Sequence, residues 1–466
     1  MADQFDVVII GGGPGGYAAA LYGAAAGLNV CMIERDKVGG TCLHRGCIPA
    51  KELLESAHVF RTVAHAADFG VEASAPTMQL ATTMARKQQV VDGLWKGLEG
   101  LLKHRKVTVL AGTGRYRGGG TVQVGMNDGT SQTVEGRNVI LASGSAPRTI
   151  PGFEVDGRYV LTSDEMLEMS DLPRTAAVIG GGAIGCEFAS FLVDVGVQVT
   201  LLEGLPKILP GCDADVANVV LRSFKKRGID VRTGVKVTGH EPTGSATRIQ
   251  IEGSEPLEVE RVIVSVGRRP LSESLGLDGT GVEVDERGFV KVDQTCRTSV
   301  ANVWAVGDLV ATPQLAHIGF AEAIVAIKDI LGESPVPIAY DRVPWAIYCH
   351  PEVAFAGHSE DSAREAGYDI VVSKHQYRGN GRALIVGEPD GMVKVIAAKD
   401  ANGKAGQILG VHMVGPWVTE QLGQAYLAVN WEATVDEVAH YIQPHPTLSE
   451  LFGETVMALT GRGLHG

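Results

Sequence analysis

The chain has 466 residues, enough for about three domains at the usual ~150 residues apiece. It is 45% apolar and 20% charged, with no biased tract and no apolar run of the ~18 residues a membrane helix needs, so a disordered, fibrous or membrane-spanning chain is not expected. A net charge of −13 argues against a protein that tracks nucleic-acid duplexes, and the basic run Lys225-Lys226-Arg227 reads as a solvated helix face.

Met1 to Asp6 show no basic stretch ahead of an apolar one, so a secretory signal is not expected and a cytoplasmic enzyme is. Asp6-Val7-Val8-Ile9-Ile10 reads as a short buried strand. It runs into Gly11-Gly12-Gly13-Pro14-Gly15-Gly16, and a small-residue helix follows from Tyr17 to Ala26. The next strand, Val30 to Glu34, ends in an acid. The same order returns downstream: strand Ala176 to Ile179, turn Gly180-Gly181-Gly182-Ala183-Ile184-Gly185, helix Cys186 to Val195, and strand Val197 to Glu203. Gly11 to Glu34 and Gly180 to Glu203 span the same 23-residue interval. Two copies of the glycine motif, each with an acid at one offset, are a strong dinucleotide-binding signal. Gly11 and Gly180 permit the tight turn, Gly13 and Gly182 let the backbone approach a pyrophosphate, and Gly16 and Gly185 let helix and strand close up. Glu34 and Glu203 suit ribose hydroxyls, and a carboxylate at Glu203 repels a 2′-phosphate, so the second site should prefer NAD to NADP.

Further strands are expected at Asn138 to Ala142, Arg261 to Val266 and Asn302 to Val306, the last running into Gly307-Asp308. Beyond Tyr340-Asp341-Arg342-Val343-Pro344 the pattern changes to strands near Val393 to Ile396 and Ile408 to Val414 with helices after them, a separate α+β domain.

Seven cysteines, odd in number and scattered, are not a secreted disulfide framework. Only Cys42 and Cys47 stand close, in Cys42-Leu43-His44-Arg45-Gly46-Cys47-Ile48-Pro49-Ala50-Lys51, just after the first acid-tipped strand. Residues five apart do not meet on an ideal helix, so a pair requires a distortion, which Gly46 and Pro49 supply. The readings are a redox pair, two buried unpaired thiols, or a metal site with His44, which lacks a fourth ligand nearby. Near the other end stands Gln443-Pro444-His445-Pro446-Thr447-Leu448-Ser449-Glu450. Two prolines fix the backbone about His445, and Glu450 can accept its Nδ1–H, leaving Nε2 to exchange protons with a thiol.

Taken together, these motifs resemble the class I pyridine-nucleotide–disulfide oxidoreductases over the whole chain, most closely their dihydrolipoyl (lipoamide) dehydrogenase branch. The resemblance implies an α/β fold with two Rossmann-like units, for FAD and NAD, and a C-terminal α+β dimerisation domain. Its boundaries would be 1–148 for FAD with the redox disulfide, 149–275 for NAD, 276–343 for a central segment completing the FAD site, and 344–466 for the interface. It implies that Cys47 lies nearest the flavin, that Cys42 exchanges with substrate, and that His445 of the partner subunit is the acid–base, oriented by Glu450. Lys51 would lie against the flavin and pair with Glu187. Gly40, Thr41, Gly114, Ser143, Gly144, Asp308, Leu315, Ala316 and His317 would join the FAD contacts, and Ile184, Val237 and Gly267 those of NAD. The implied partners are a second copy of the chain, with shared active sites, and the lipoyl domains of 2-oxoacid dehydrogenase or glycine cleavage complexes. Ala50 departs from the serine frequent there, which removes a hydroxyl but leaves both thiols and Lys51. Glutathione-type reductases share the cysteines but read NADPH through basic residues where Glu203 stands. Mercury reductases use extra C-terminal cysteines, absent after Cys349, and soluble transhydrogenases lack the redox pair. A purely structural subunit of a multienzyme complex would have no use for Cys42, Cys47 and His445.

Overall fold

The computed structural model describes residues 3–465. The first unit comprises β1 (Asp3–Ile10), α1 (Pro14–Ala25), β2 (Val30–Glu34), α2 (Gly40–Arg45), α3 (Cys47–Ala64), α4 (Leu80–His104), β3 (Thr108–Tyr116), β4 (Thr121–Met126) and β5 (Ser131–Leu141). The second comprises β6 (Ser145–Pro147), β7 (Val160–Leu161), α5 (Ser163–Met166), β8 (Thr175–Ile179), α6 (Ala183–Asp194), β9 (Gln198–Glu203), α7 (Ala214–Lys226), β10 (Asp230–Thr233), β11 (Val237–Pro242), β12 (Thr247–Ile251), β13 (Leu257–Val259), β14 (Arg261–Val264) and β15 (Arg268–Pro270). Then come β16 (Val303–Ala305) and α8 (Ala316–Ile330). The C-terminal part holds β17 (Trp345–Ile347), β18 (Glu352–Gly357), α9 (Glu360–Glu365), β19 (Ile370–Gln376), α10 (Gly381–Ile385), β20 (Met392–Lys399), β21 (Ala405–Gly415), α11 (Val418–Asn430), α12 (Val435–Ala439) and α13 (Glu450–Leu459).

Two sheets repeat one order of parallel strands, and in the first β4 adds an antiparallel strand between β3 and β5. In the first, β1 lies between β2 and residues 134–141 of β5, with Ile10 opposite both Ile33 and Leu141, while β3 pairs with β2 and β16 with β5. In the second, β8 lies between β9 and β14, with Ile179 opposite Leu202 and Val264, and β10 and β7 flank them. Strands covered on both faces need continuous apolar runs, which is why Val7 to Ile10 and Ala176 to Ile179 are all buried. Residues 276–343 form no sheet of their own among the described residues: β16 extends the first sheet and α8 packs on α1. The C-terminal sheet is wholly antiparallel, in the order β17-β18-β21-β20-β19, and α11 and α13 cover its apolar face. No helix among the described residues is long and apolar enough to cross a membrane.

Both glycine-loop helices begin three residues before the sequence pattern suggests, at Pro14 and Ala183. Glycine and proline read as turn residues, but a first-turn proline gives up an N–H that has no helical partner in any case.

Candidate active site

The two glycine loops are near-superposable. Gly11 and Gly180 have φ of 110° and 107°, a left-handed conformation that a side chain rarely adopts, and Gly13 and Gly182 cap the helices at ψ −173° in both. A Cβ at Gly16 would lie 1.8 Å from the Gly11 carbonyl oxygen, and one at Gly185 1.9 Å from that of Gly180. The acids are placed alike. Glu34 accepts the N–H of Gly12 at 2.7 Å on one oxygen and that of Asp36 at 2.8 Å on the other. Glu203 accepts the N–H of Gly181 at 2.5 Å and that of Leu205 at 2.7 Å. Each carboxylate is thereby locked to its loop and keeps lone pairs for a ligand.

Cys42 and Cys47 belong to different helices. The backbone breaks at Gly46 (φ −151°, ψ −110°) between α2 and α3, and a Cβ there would lie 3.0 Å from the Thr41 carbonyl oxygen. Pro49 does not contribute to the break; it is the third residue of α3, where no helical N–H is missed. The break brings the two thiols into hydrogen-bond contact. Both are half-buried. The hydrogen bond from Cys42 holds the Cys47 thiol below its ordinary range, against burial and with help from the Lys51 ammonium and the start of α3. The same bond, with burial, pushes Cys42 up. When the pair gives up one proton, Cys47 is therefore the sulfur that carries the charge.

One turn along α3, Lys51 Nζ meets both carboxylate oxygens of Glu187 on α6, at 2.9 and 2.8 Å, and lies over the Tyr348 ring, 5.0 Å from its centre. Burial works against this ammonium, but Glu187 outweighs it and holds Lys51 above its usual range. The Tyr348 N–H also donates to Glu187, at 2.9 Å. One ion pair thus ties the cysteine helix to the second unit and to the C-terminal domain.

His445 and Glu450 lie together. His445 Nδ1 is 2.9 Å from Glu450 Oε2, and the imidazole side chain is 79% exposed. Among the described residues, no hydrogen bond or ion pair joins it to either cysteine.

The family description "Pyridine nucleotide-disulphide oxidoreductase" matches residues 5–323, and the dimerisation domain of the same family matches 343–456. The chain belongs to the pyridine nucleotide-disulphide oxidoreductases. It is 41% identical to the dihydrolipoyl dehydrogenase of Bacillus subtilis over the whole of both chains. It is 36% identical to the mitochondrial dihydrolipoyl dehydrogenase of Pisum sativum, over all of this chain and 93% of that one. Among solved structures, LpdA of Mycobacterium tuberculosis is similar at a TM-score of 0.91 and 26% identity, covering 98% of this chain and 100% of that one. A flavoprotein disulfide reductase of Escherichia coli, RclA, follows at 0.87 and 25%, covering 98% and 99%.

The family uses FAD and NAD, and both loops fit a dinucleotide. Neither α1 nor α6 has a side-chain cap or an acid in its first turn, so the N-terminal N–H groups are open to a pyrophosphate. Thr41 follows Gly40 at the start of α2, and Gly40 rests on Gly13 of the first loop. Gly114 packs against Ile10 and Ile33 at the strand ends near that loop. Ser143 donates to the Leu271 carbonyl at 3.0 Å, and Gly144 accepts the Leu271 N–H. Asp308 is held by the Ser145 hydroxyl at 2.5 Å, with Arg268 3.7 Å away. Leu315, Ala316 and His317 open α8, whose Gly319 lies against Gly15 and Gly307, and His317 Nε2 is 2.8 Å from the Pro344 carbonyl. On the second unit, Ile184 is in the first turn of α6, Val237 begins β11, and Gly267 has φ 103° between β14 and β15.

Sequence reasoning missed four contributors. Tyr17 on α1 feels both cysteine thiols, and burial followed by their charge pushes its phenol up to about 12. Tyr348 covers Lys51, and Asn380 holds Glu450. Glu322 is 0% exposed and accepts from the Gly307 N–H at 2.6 Å, the Thr312 hydroxyl at 2.7 Å and the Tyr340 hydroxyl at 2.9 Å. Burial pushes Glu322 up to about 7. Only Glu322 left a sequence signal, as an acid set inside the apolar stretch Ile318 to Ile327 of α8.

Proposed function

We propose that this chain catalyses the dihydrolipoyl dehydrogenase reaction: a dihydrolipoyl group on a carrier domain plus NAD⁺ gives the lipoyl disulfide, NADH and a proton. The thiol contact at the break between α2 and α3 carries this reading, because it puts two exchangeable sulfurs beside a dinucleotide loop. In the first half, Cys42 and Cys47 start as a disulfide. A substrate thiolate attacks Cys42 Sγ, and Cys47 leaves as a thiolate, which Lys51 and the hydrogen-bonding Cys42 favour. The second substrate thiol gives its proton to His445 Nε2 and attacks the first, releasing Cys42. Cys42 takes that proton back from His445, so the chain ends as the dithiol and the substrate as the disulfide. FAD, when bound on the first loop, supplies a two-electron carrier between this dithiol and the nicotinamide held on the second.

The exposed His445, paired with Glu450 but touching neither cysteine, supports an acid–base that serves the cysteines of a second copy. The family's dimerisation domain supports a homodimer. The same reading gives Cys42, Cys47, His445 and Glu450 the catalytic roles, divides the chain at 148, 275 and 343, and takes lipoyl domains of 2-oxoacid dehydrogenase or glycine cleavage complexes as partners. It places the enzyme in the cytoplasm, where a close cysteine pair such as Cys42 and Cys47 is catalytic rather than structural. The test is NAD⁺ reduction by dihydrolipoamide, run beside glutathione disulfide with NADPH. Turnover with the first pair alone is expected; turnover with the second alone overturns the reading.

A further inference from the structure

Asn380 is 3% exposed, and every polar atom of its side chain has a partner. It stands at the N-terminal end of α10, where its Oδ1 accepts the Ala383 N–H at 2.9 Å. That bond fixes which way the amide faces, so both Nδ2 hydrogens point the other way. One goes to the Thr447 carbonyl at 2.9 Å, inside the His445 loop, and the other to Glu450 Oε1 at 3.2 Å. Glu450 Oε2 is the atom that meets His445 Nδ1. A single buried amide therefore clamps the carboxylate from the side opposite the imidazole and anchors the loop that carries the imidazole.

The need for such a clamp follows from exposure. A carboxylate with one free oxygen swings about its χ angles, and the histidine it orients is mostly in solvent on its own chain. Held on both oxygens, the carboxylate presents one lone pair to Nδ1 and fixes the tautomer with Nε2 outward. Other bonds also fasten the loop, among them Gln443 Nε2 to Gln424 Oε1 at 3.2 Å. Gln424 donates to the Ser449 carbonyl at 3.0 Å, and the Thr447 hydroxyl donates to the Pro444 carbonyl at 2.8 Å. Of the loop's fastenings, the Asn380 amide is the one that grips both the backbone and the carboxylate.

We infer that Asn380 is a positioning residue for the His445–Glu450 pair, acting on proton transfer through Glu450. This rests on the reading of His445 under the proposed function. The charged groups on the surrounding elements are Arg382 on α10, Glu420 on α11, and Glu454 one turn along α13, which pairs with His465 at 3.4 Å. Among the described residues, none of them makes a hydrogen bond or ion pair with Glu450.

The test is a double-mutant cycle in the FAD-loaded dimer with Asn380→Ser and Glu450→Gln. Serine keeps the helix cap but is too short to reach Glu450. Asn380→Ser is expected to lower kcat/KM for dihydrolipoamide about tenfold, part of the ~10²–10⁴-fold that general acid–base catalysis supplies. NADH oxidation by ferricyanide, which needs no proton transfer at a thiol, should be unchanged. In the Glu450→Gln background the same substitution should cost nothing further. A full additional tenfold loss in that background, an equal fall in ferricyanide turnover, or no loss in the single variant overturns the inference. His445→Gln is the separate check. If it keeps full dihydrolipoamide activity, the proposed function fails, whereas a dead His445→Gln beside an unaffected Asn380→Ser removes the positioning role alone.

Discussion

The two glycine loops share turn geometry, helix caps and acid contacts, yet their surroundings differ. Over the first, a Cβ at Gly40 would come within 2.5 Å of the Gly13 Cα, and Gly15 is packed by Val306, Gly307 and Gly319. Over the second, a Cβ at Gly182 would meet nothing within 4 Å. One loop is walled by α2 and α8 and the other is open. The loop supplies affinity for a dinucleotide, and the neighbours decide whether it stays or exchanges. A walled first site suits a retained flavin, and an open second site suits a nicotinamide nucleotide that must leave each cycle.

Substitutions can break or sharpen this contrast. The largest effect belongs to the sulfurs that only the walled site carries. Cys42→Ser should cost about 10³-fold or more in dihydrolipoamide oxidation, measured by NADH formation, because no other group can accept the substrate thiolate. Next come the loops. Gly40→Ala forces a Cβ into Gly13 at a φ of 59°, so the purified chain should lose most of its yellow cofactor, read as the ratio of visible to protein absorbance. Gly182→Ala, in open space, should keep the flavin and raise KM for NAD⁺ about tenfold, since its methyl stands where a pyrophosphate approaches. Equal flavin loss in the two variants would erase the distinction. Smaller still, Glu203→Arg should narrow the preference for NAD⁺ over NADP⁺ in kcat/KM without touching flavin content.

The smallest effect is on pH dependence. Burial raises Glu322, beneath the walled loop, from 4.5 to about 7. Between those values the folded chain keeps a proton that the unfolded chain gives up. Its contribution to stability is therefore fully present below about 4.5 and lost as pH rises towards 7. Glu322→Gln should flatten the urea midpoint across that window, and an unchanged slope would count against the shift.

Both loops were legible in the sequence because glycine spacing encodes turn geometry directly, and the acids follow at a fixed interval. The Cys42–Cys47 contact was legible as a requirement for distortion, and Gly46 alone meets it. The pairs Lys51–Glu187 and His445–Glu450 were readable through the resemblance or through short spacing. What stayed hidden depends on distant segments: Asn380 reaches Glu450 across 70 residues and Ser145 reaches Asp308 across 163. A lone asparagine or serine has no periodicity and no motif, so only packing reveals its partner. Tyr17 was hidden differently. It sat in plain view on the first helix, but nothing in its neighbours along the chain shows that this helix faces the thiols.

The most direct test of the account is an anaerobic titration of the flavin-loaded protein with dihydrolipoamide, followed at long wavelength. If Cys47 is a thiolate against the flavin, an absorbance band should grow with one equivalent of reductant. The band should persist without reductant in Cys42→Ser and be missing in Cys47→Ser. A wild-type protein that bleaches with no such band, or a Cys47→Ser variant that retains it, would contradict the account.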